Sequence, residues 1–298
     1  MILNCCRDDW ANFSYDNHLA MQAVGIDSVC VKLKRHDYEY ENQARTISVS
    51  TLKELIKQAD IVQVFHSDKW MHQYLEGKKV IVYHAGSTYR MHHAYYNHLW
   101  RNADLHVVCL GEFWKLAPKN KRYLVGAMEM AADYSNCHHP LEIAHYPSNP
   151  EVKGTNHIIN MLSDISSDKY YFLCDTNAVD YRQQLERLKT CDIYIEMFKL
   201  ELGQNVYGSF GITALEAAAM GKIVVTNNLH KELYQDVYGD CALQIVNTEQ
   251  EFKDKINQLI NLSTHELREL QHNTKQWALK HSYSATGDRI KSFHTAIN

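Results

Sequence analysis

Short apolar runs of strand type alternate with helical segments along almost the whole chain, and this alternation leaves few folds open. Residues 2–6 form the first strand-like run, followed by a polar loop at 7–15 and a helical segment at 16–24 that Gly25 stops. A second strand occupies 27–33. Strand–loop–helix–strand order over about 30 residues is the unit of a parallel sheet, because parallel neighbours need a crossover and a helix supplies it. The alternation continues with a helix at 51–58 and strands at 60–65, 79–84, 104–109 and 121–125, with 85–90 reading as a loop. It lapses between Gly126 and Pro140, where 136–140 reads as a hinge. It then restarts with strands at 142–146, 169–174, 192–197, 222–226 and 241–246, and with helices at 157–162, 179–189, 248–262 and 264–281. The fold class is therefore α/β, with Rossmann-like domains expected at 1–138 and 139–298. A last helix, at about 285–296, is long enough to reach back to the first domain. A length of 298 residues agrees with two domains, since single cores stop growing at about 250–300 residues.

The composition, 45% hydrophobic and 22% charged, is that of a soluble globular protein, and no apolar run approaches the ~18 residues that span a bilayer. Stable membrane insertion is not expected. A net charge of −4 offers no global attraction to nucleic acid or to an anionic membrane. The eight cysteines include no C-x-x-C pair and fall mostly in strand-like runs, which reads as reduced thiols in a cytoplasmic protein. Cys137, His138 and His139, with His145 nearby, match no standard zinc spacing, and no D-x-D pair is present, so no metal is expected.

The stretch from Val206 to Gly221 carries the chemistry. It starts as a glycine-rich loop, becomes an alanine-rich helix, and stops at a glycine before the strand at 222–226. Gly208 and Gly211 let the backbone approach a ligand, and the helix start presents unpaired N–H groups and the positive end of the macrodipole, which suits a phosphate. Glu216 lies one turn in, and its carboxylate leans back over Ile212 and Thr213 toward the same mouth. Phosphate donors beside a carboxylate that can hold sugar hydroxyls describe a nucleotide-sugar site. Gly-rich turns before helices are nevertheless common in α/β proteins, and the dipole alone favours an early glutamate. In open parallel sheets ligands bind beyond the carboxyl ends of strands, which singles out the loops at 12–15 and 86–90. Arg90 reads equally as an anion or hydroxyl contact and as a surface arginine.

Taken together, His145-x-Pro147-Ser148-Asn149, Lys153-Gly154-Thr155, Gly208-x-Phe210-Gly211 with Glu216-Ala217, and Gly221-Lys222-Ile223-Val224-Val225 resemble the nucleotide-binding domain of the retaining glycosyltransferases of family four. The resemblance covers most of residues 141–298. In the first half, Asn12-Phe13-Ser14 and His84-x-Gly86-Ser87-x-x-Arg90 are similar, more weakly, to the family's acceptor side. What this implies is a GT-B fold, two Rossmann-like domains facing a cleft. It also implies transfer of a sugar from a nucleotide-diphosphate sugar, which is a co-substrate, to an acceptor hydroxyl, with retention and without metal or cofactor. By the same resemblance Lys153 pairs with the diphosphate, and Ser148, Asn149 and the loop Gly208, Ser209, Phe210, Gly211, Ile212 and Thr213 line the donor. Glu216 holds the ribose, and His84 lies near the reacting sugar unless it is a satisfied histidine at a strand end. Asn12, Phe13, Ser14, Gly86, Ser87 and Arg90 form the acceptor side.

Two positions depart from the family pattern. Gly208 stands where a glutamate usually meets the donor sugar, and the arginine that accompanies the phosphate lysine is replaced by Ser148, or by Pro150 in the variant form of the motif. An epimerase or a phosphorylase of the same fold stays open, and Gly208 favours a further alternative, a binding protein that kept the pocket and lost turnover. The acceptor is equally open: a glycan, a lipid-linked sugar, a small molecule, a protein or a modified nucleic-acid base.

Overall fold

The computed structural model describes residues 1–35, 40–203 and 205–297. The chain divides into two compact units. Unit 1 comprises Met1–Met128 with His281–Asn298, and unit 2 is Glu129–Lys280. The chain therefore leaves unit 1 at Met128 rather than at 138, because the extended segment before Pro140 already belongs to unit 2: Tyr134 N donates to Met220 O at 3.0 Å and Asn136 Nδ2 to Lys189 O at 2.9 Å.

Unit 1 is built on strands β1 (Ile2–Cys6), β2 (Ser28–Lys32), β3 (Arg45–Thr46), β4 (Ile61–Val64), β5 (Lys79–His84), β6 (Leu105–Val108) and β7 (Lys121–Tyr123). They form one sheet in the order β3-β2-β1-β4-β5-β6-β7, with every pairing parallel. Helices α1 (Phe13–Ala23), α2 (Val49–Gln58) and α3 (Gly86–Leu99) supply crossovers. Strands buried on both faces read as continuous apolar runs, and β1 and β4 are buried at every position. Strand order reverses between β1 and β4, so the topological switch point lies beyond their carboxyl ends.

Unit 2 holds β8 (Leu141–His145), α4 (Pro150–Lys153), α5 (Thr155–Ser163), β9 (Tyr170–Cys174), α6 (Tyr181–Thr190) and β10 (Ile193–Met197). A short antiparallel pair, β11 (Glu201–Leu202) and β12 (Asn205–Val206), precedes α7 (Ile212–Ala219) and β13 (Ile223–Thr226). The unit continues through α8 (Lys231–Tyr238), β14 (Gln244–Ile245), α9 (Glu249–Leu259) and α10 (Thr264–Ala278). Its parallel sheet runs β14-β13-β10-β8-β9, and here the order reverses between β8 and β10. Its core gathers Ile143, Ile195 and Val225 from the sheet with Phe198, Phe252 and Ile256.

The chain ends in α11 (Tyr283–Ile297), which belongs to unit 1 and packs against α1. Gly287 makes the approach close: a Cβ there would lie 2.1 Å from the carbonyl oxygen of Ala20. Ile290 and Phe293 of the same helix complete the core around Ile2, Phe13, Met21 and Ile81.

Three local expectations change. Residues 86–90 are the first turn of α3 rather than a loop: Tyr89, Arg90 and Tyr96 bury one face of a helix that no side chain caps. The strand expected at 241–246 contracts to Gln244–Ile245, and α8, whose Tyr234 and Tyr238 rings stack at 4.9 Å, was not anticipated. All eight cysteines are free thiols, five of them buried. No helix among the described residues is long and apolar enough to cross a membrane.

Candidate active site

The switch point of unit 2 brings together residues from three loops. After β8, Asn149 caps α4 by accepting from Val152 N at 3.2 Å, and Pro150 takes the first helical position, where its missing N–H costs nothing. This short helix sets Lys153 at its end, next to Gly154, whose positive φ of +73 lets the chain turn into α5. At the end of β10, the Glu196 side chain is completely buried and pairs with the Lys153 ammonium. The Lys153 side chain as a whole is 18% exposed. Burial alone would depress the lysine pKa, but the Glu196 carboxylate and Tyr207 outweigh it and hold the ammonium above its ordinary value. The other Glu196 oxygen, Oε2, has no hydrogen-bond partner among the described residues.

The third loop meets this pair. Gly211 caps α7 in an extended conformation with no side-chain hydrogen bond, which leaves the N–H groups of the first turn, at Ile212 and Thr213, for a ligand. A Cβ on Gly211 would sit 3.0 Å from Glu196 Oε1 and 3.6 Å from Lys153 Nζ. Backbone donors, a helix start and an ammonium thus converge, which is the chemistry of a diphosphate site. One turn along α7, Glu216 Oε1 accepts from the Tyr181 hydroxyl at 2.7 Å. Burial pushes the Glu216 carboxyl up to about 7, with the Tyr181 hydrogen bond opposing and Glu196 reinforcing the rise.

The remaining donor-side positions differ in what they offer. Ser148 and Asn149 are exposed beside α4, and Ser209 is buried. Phe210 is a core residue whose ring packs edge-on to Tyr234 and Trp277 at 5.5 and 5.9 Å, so its side chain faces away from any donor. Gly208 has a structural cause. Its φ is +141, and a Cβ there would lie 2.0 Å from Nδ2 of Asn227. Asn227 occupies that space to bind both backbone groups of Lys199, donating to its carbonyl at 2.9 Å and accepting from its N–H at 3.2 Å.

In unit 1 the switch point holds a cavity of about 540 Å³. Arg7 and Trp10 line it from the loop after β1, His66 and Trp70 from the segment after β4, and Gly86 and Ser87 from the start of α3. The other acceptor-side expectations are corrected. Asn12, Phe13 and Ser14 are buried: Asn12 binds Asn42 O at 3.0 Å, Phe13 meets Phe65 in the core, and Ser14 N donates to Asp9 Oδ1 at 2.8 Å. Arg90 is buried against Glu112, to which its Nε donates at 2.8 Å, and presents no head group to the cavity. His84 is completely buried with both ring nitrogens engaged, Nδ1 with Ser67 Oγ at 2.8 Å and Nε2 with His106 at 2.9 Å. Burial, and His106 after it, push its pKa well down, so it is a satisfied neutral core histidine with no nitrogen left for a sugar.

Glu196, Tyr181 and the contact between the cavity-lining His66 and the buried Asp9 escaped the sequence reading. Glu196 sits in a strand-like run with no local sign of its partner 43 residues away. His138, His139 and His145 each have separate partners, namely Asp192, Thr264, and Ile195 with Thr155. Among the described residues no three His, Cys, Asp or Glu side chains converge as a metal site would require.

No family model matches this chain, and no curated protein matches it in sequence. Solved structures do match in fold. The Anabaena protein HepE in complex with UDP-glucose superposes with a TM-score of 0.69 at 10% identity, over 99% of both chains. A glycosyltransferase from Rickettsia africae gives 0.61 at 12% identity, over 99% of this chain and 98% of its own. The N-terminal domain of Candida albicans trehalose-6-phosphate phosphatase gives 0.60 at 12% identity, over 99% and 96%. The fold is thus that of the GT-B glycosyltransferases, and at these identities the likeness speaks for fold alone.

Proposed function

We propose that the chain transfers a sugar from a nucleotide-diphosphate sugar to an acceptor hydroxyl. The observation that carries this reading is the meeting of Lys153, the uncapped start of α7 and Glu216 at the switch point of unit 2. Lys153 and the Ile212–Thr213 N–H groups would hold the diphosphate. They would also stabilise the charge that it gains as its bond to the sugar breaks, a task that otherwise falls to a metal. Glu216 would accept hydrogen bonds from the ribose hydroxyls, with Ser148 and Asn149 at the rim. Retention of configuration, assignment to family four and independence from divalent ions are part of the proposal and rest on the motif resemblance together with this cationic site. The fold shared with a protein held in complex with UDP-glucose makes UDP the first carrier to test.

Calorimetry with nucleoside diphosphates and their sugars tests the site directly. Binding that is lost in Lys153→Ala and Glu216→Ala supports it, and undiminished affinity and turnover in Glu216→Ala would sink the ribose assignment. A second reading, a binding protein without turnover, is favoured by one feature: Asn227 fills the space where a sugar-contacting side chain at position 208 would stand. Nucleotide-sugar binding with neither hydrolysis nor transfer, across a broad acceptor panel, would establish it.

A further inference from the structure

The buried ion pair of unit 2 stands on a strand that is otherwise uncharged. Glu196 lies between Ile195 and Met197 of β10, all three of them buried, and its side chain has no exposure at all. Stability does not account for such a pair, because mutual attraction returns only part of what it costs to take two charges out of water. The pair is also incompletely satisfied. Among the described residues the Lys153 ammonium donates only to Glu196 Oε1, and Glu196 Oε2 accepts from none. An ammonium has three donors, so two remain for a ligand.

Both charged groups lie against Gly211, the residue that starts α7. Burial works to lower the Lys153 pKa, and the Glu196 carboxylate with Tyr207 reverses this and raises it, so the side chain keeps its proton. The carboxylate that secures the proton also offsets the charge. What an anion meets at this mouth is therefore a hydrogen-bond donor of small net charge, added to the partial charge of the helix start.

That balance bears on the difference between donor and product. In the transfer, the bond from the anomeric carbon to the diphosphate oxygen breaks and its electron pair stays on that oxygen. The acceptor oxygen bonds to the carbon and gives up its proton to solvent. The diphosphate thus gains a negative charge, which it keeps above a phosphate pKa of about 6. An unpaired ammonium would favour the product over the donor, and a neighbouring carboxylate narrows that preference.

We infer that Glu196 is a positioning residue: it tethers Lys153 beside the start of α7 and offsets its charge, so that a sugar nucleotide is held and the more highly charged nucleoside diphosphate is not trapped. For the identity of the two ligands this rests on the proposed function; the effect of Glu196 on anion binding stands apart from it.

The test is calorimetry on the full chain with inorganic pyrophosphate, UDP and UDP-glucose, at low salt, without divalent ions and at pH 8. Glu216, which burial pushes up to about 7, is mostly ionised there and contributes little to any difference. Glu196→Gln keeps an oxygen for Lys153 and removes the charge. It should bind pyrophosphate and UDP about tenfold more tightly and UDP-glucose by a smaller factor. Dissociation of UDP should slow in proportion, and the gain should shrink as salt is raised. Loss of a purely structural contact would weaken binding instead. Glu196→Met, apolar and of similar length, should also bind pyrophosphate more tightly than the wild type, and it decides the matter if the glutamine variant does not fold. Unchanged or weaker pyrophosphate binding in the folded variant, or an equal gain for UDP and UDP-glucose, would overturn the inference. Wild-type binding of UDP-glucose without the gain in the variants fails this inference alone. The gain for pyrophosphate, with no form binding UDP or UDP-glucose, fails the proposed function alone.

Discussion

At the scale of single residues, two side chains of unit 2 make opposite demands on the environment. In the proposed function Glu216 is ionised to accept from two ribose hydroxyls, yet burial lifts its pKa from 4.5 to about 7. Nucleotide affinity should therefore rise as pH passes upward through about 7, and Glu216→Gln should flatten that dependence in a calorimetric series from pH 6 to 8. Tyr181→Phe removes the hydrogen bond that favours the carboxylate and should move the midpoint to higher pH. Stability follows the reverse course. The folded carboxyl holds its proton more tightly than the unfolded one, so its contribution is complete below pH 4.5 and is lost as pH rises through about 7. Gly208 makes a simpler demand. Restoring any side chain there meets Asn227 at 2.0 Å in a backbone conformation hostile to L residues, and Gly208→Ala should cost about 2–4 kcal/mol in denaturant unfolding. Gly208→Glu should consequently destabilise the chain rather than supply the family's carboxylate.

At the scale of elements, the parallel strands were legible because burial on both faces leaves nearly continuous apolar runs, as in β1 and β5. Helix α3 was not, because it opens with Gly-Ser-Thr, residues that read as a turn, and its apolar face emerges only at Tyr89 and Tyr96. The strands β11 and β12 have two residues each, too few for any period to show. The site divides along the same line. Lys153, Gly211 and Glu216 belong to local strand–loop–helix patterns, so spacing and the family resemblance are enough to propose them. Glu196 and the His66–Asp9 contact depend on which strands become neighbours, and no local pattern records that. The packing of α11 on α1 gives a prediction at this scale. Gly287→Leu places a side chain where even a Cβ would lie 2.1 Å from Ala20 O. Hydrogen exchange should accelerate in both helices, while α7 and α10 of unit 2 keep their protection.

At the scale of the whole molecule, the two switch points differ in what they offer: an ammonium beside an uncapped helix start in unit 2, and an aromatic cavity in unit 1. Unit 1 is assembled from two pieces of chain, Met1–Met128 and His281–Asn298. Deleting residues 281–298 removes Ile290 and Phe293 from its core. The loss should appear as red-shifted emission from Trp10, Trp70, Trp100 and Trp114, all in unit 1, and as a transition at lower denaturant than that of unit 2. A cooperative unfolding unchanged from the full chain would show that α11 contributes nothing to unit 1.

This split also sets an order of events during synthesis. Helix α1 is made before Glu129–Lys280, and the helix that covers it follows only after all of that segment has been made. At common elongation rates of 5–20 residues per second that interval is roughly 8–30 s. Unit 2, continuous in sequence, can close its core within that time. The Ala20 face of α1 meanwhile waits uncovered, so a nascent chain stalled before residue 281 would expose it to chaperones.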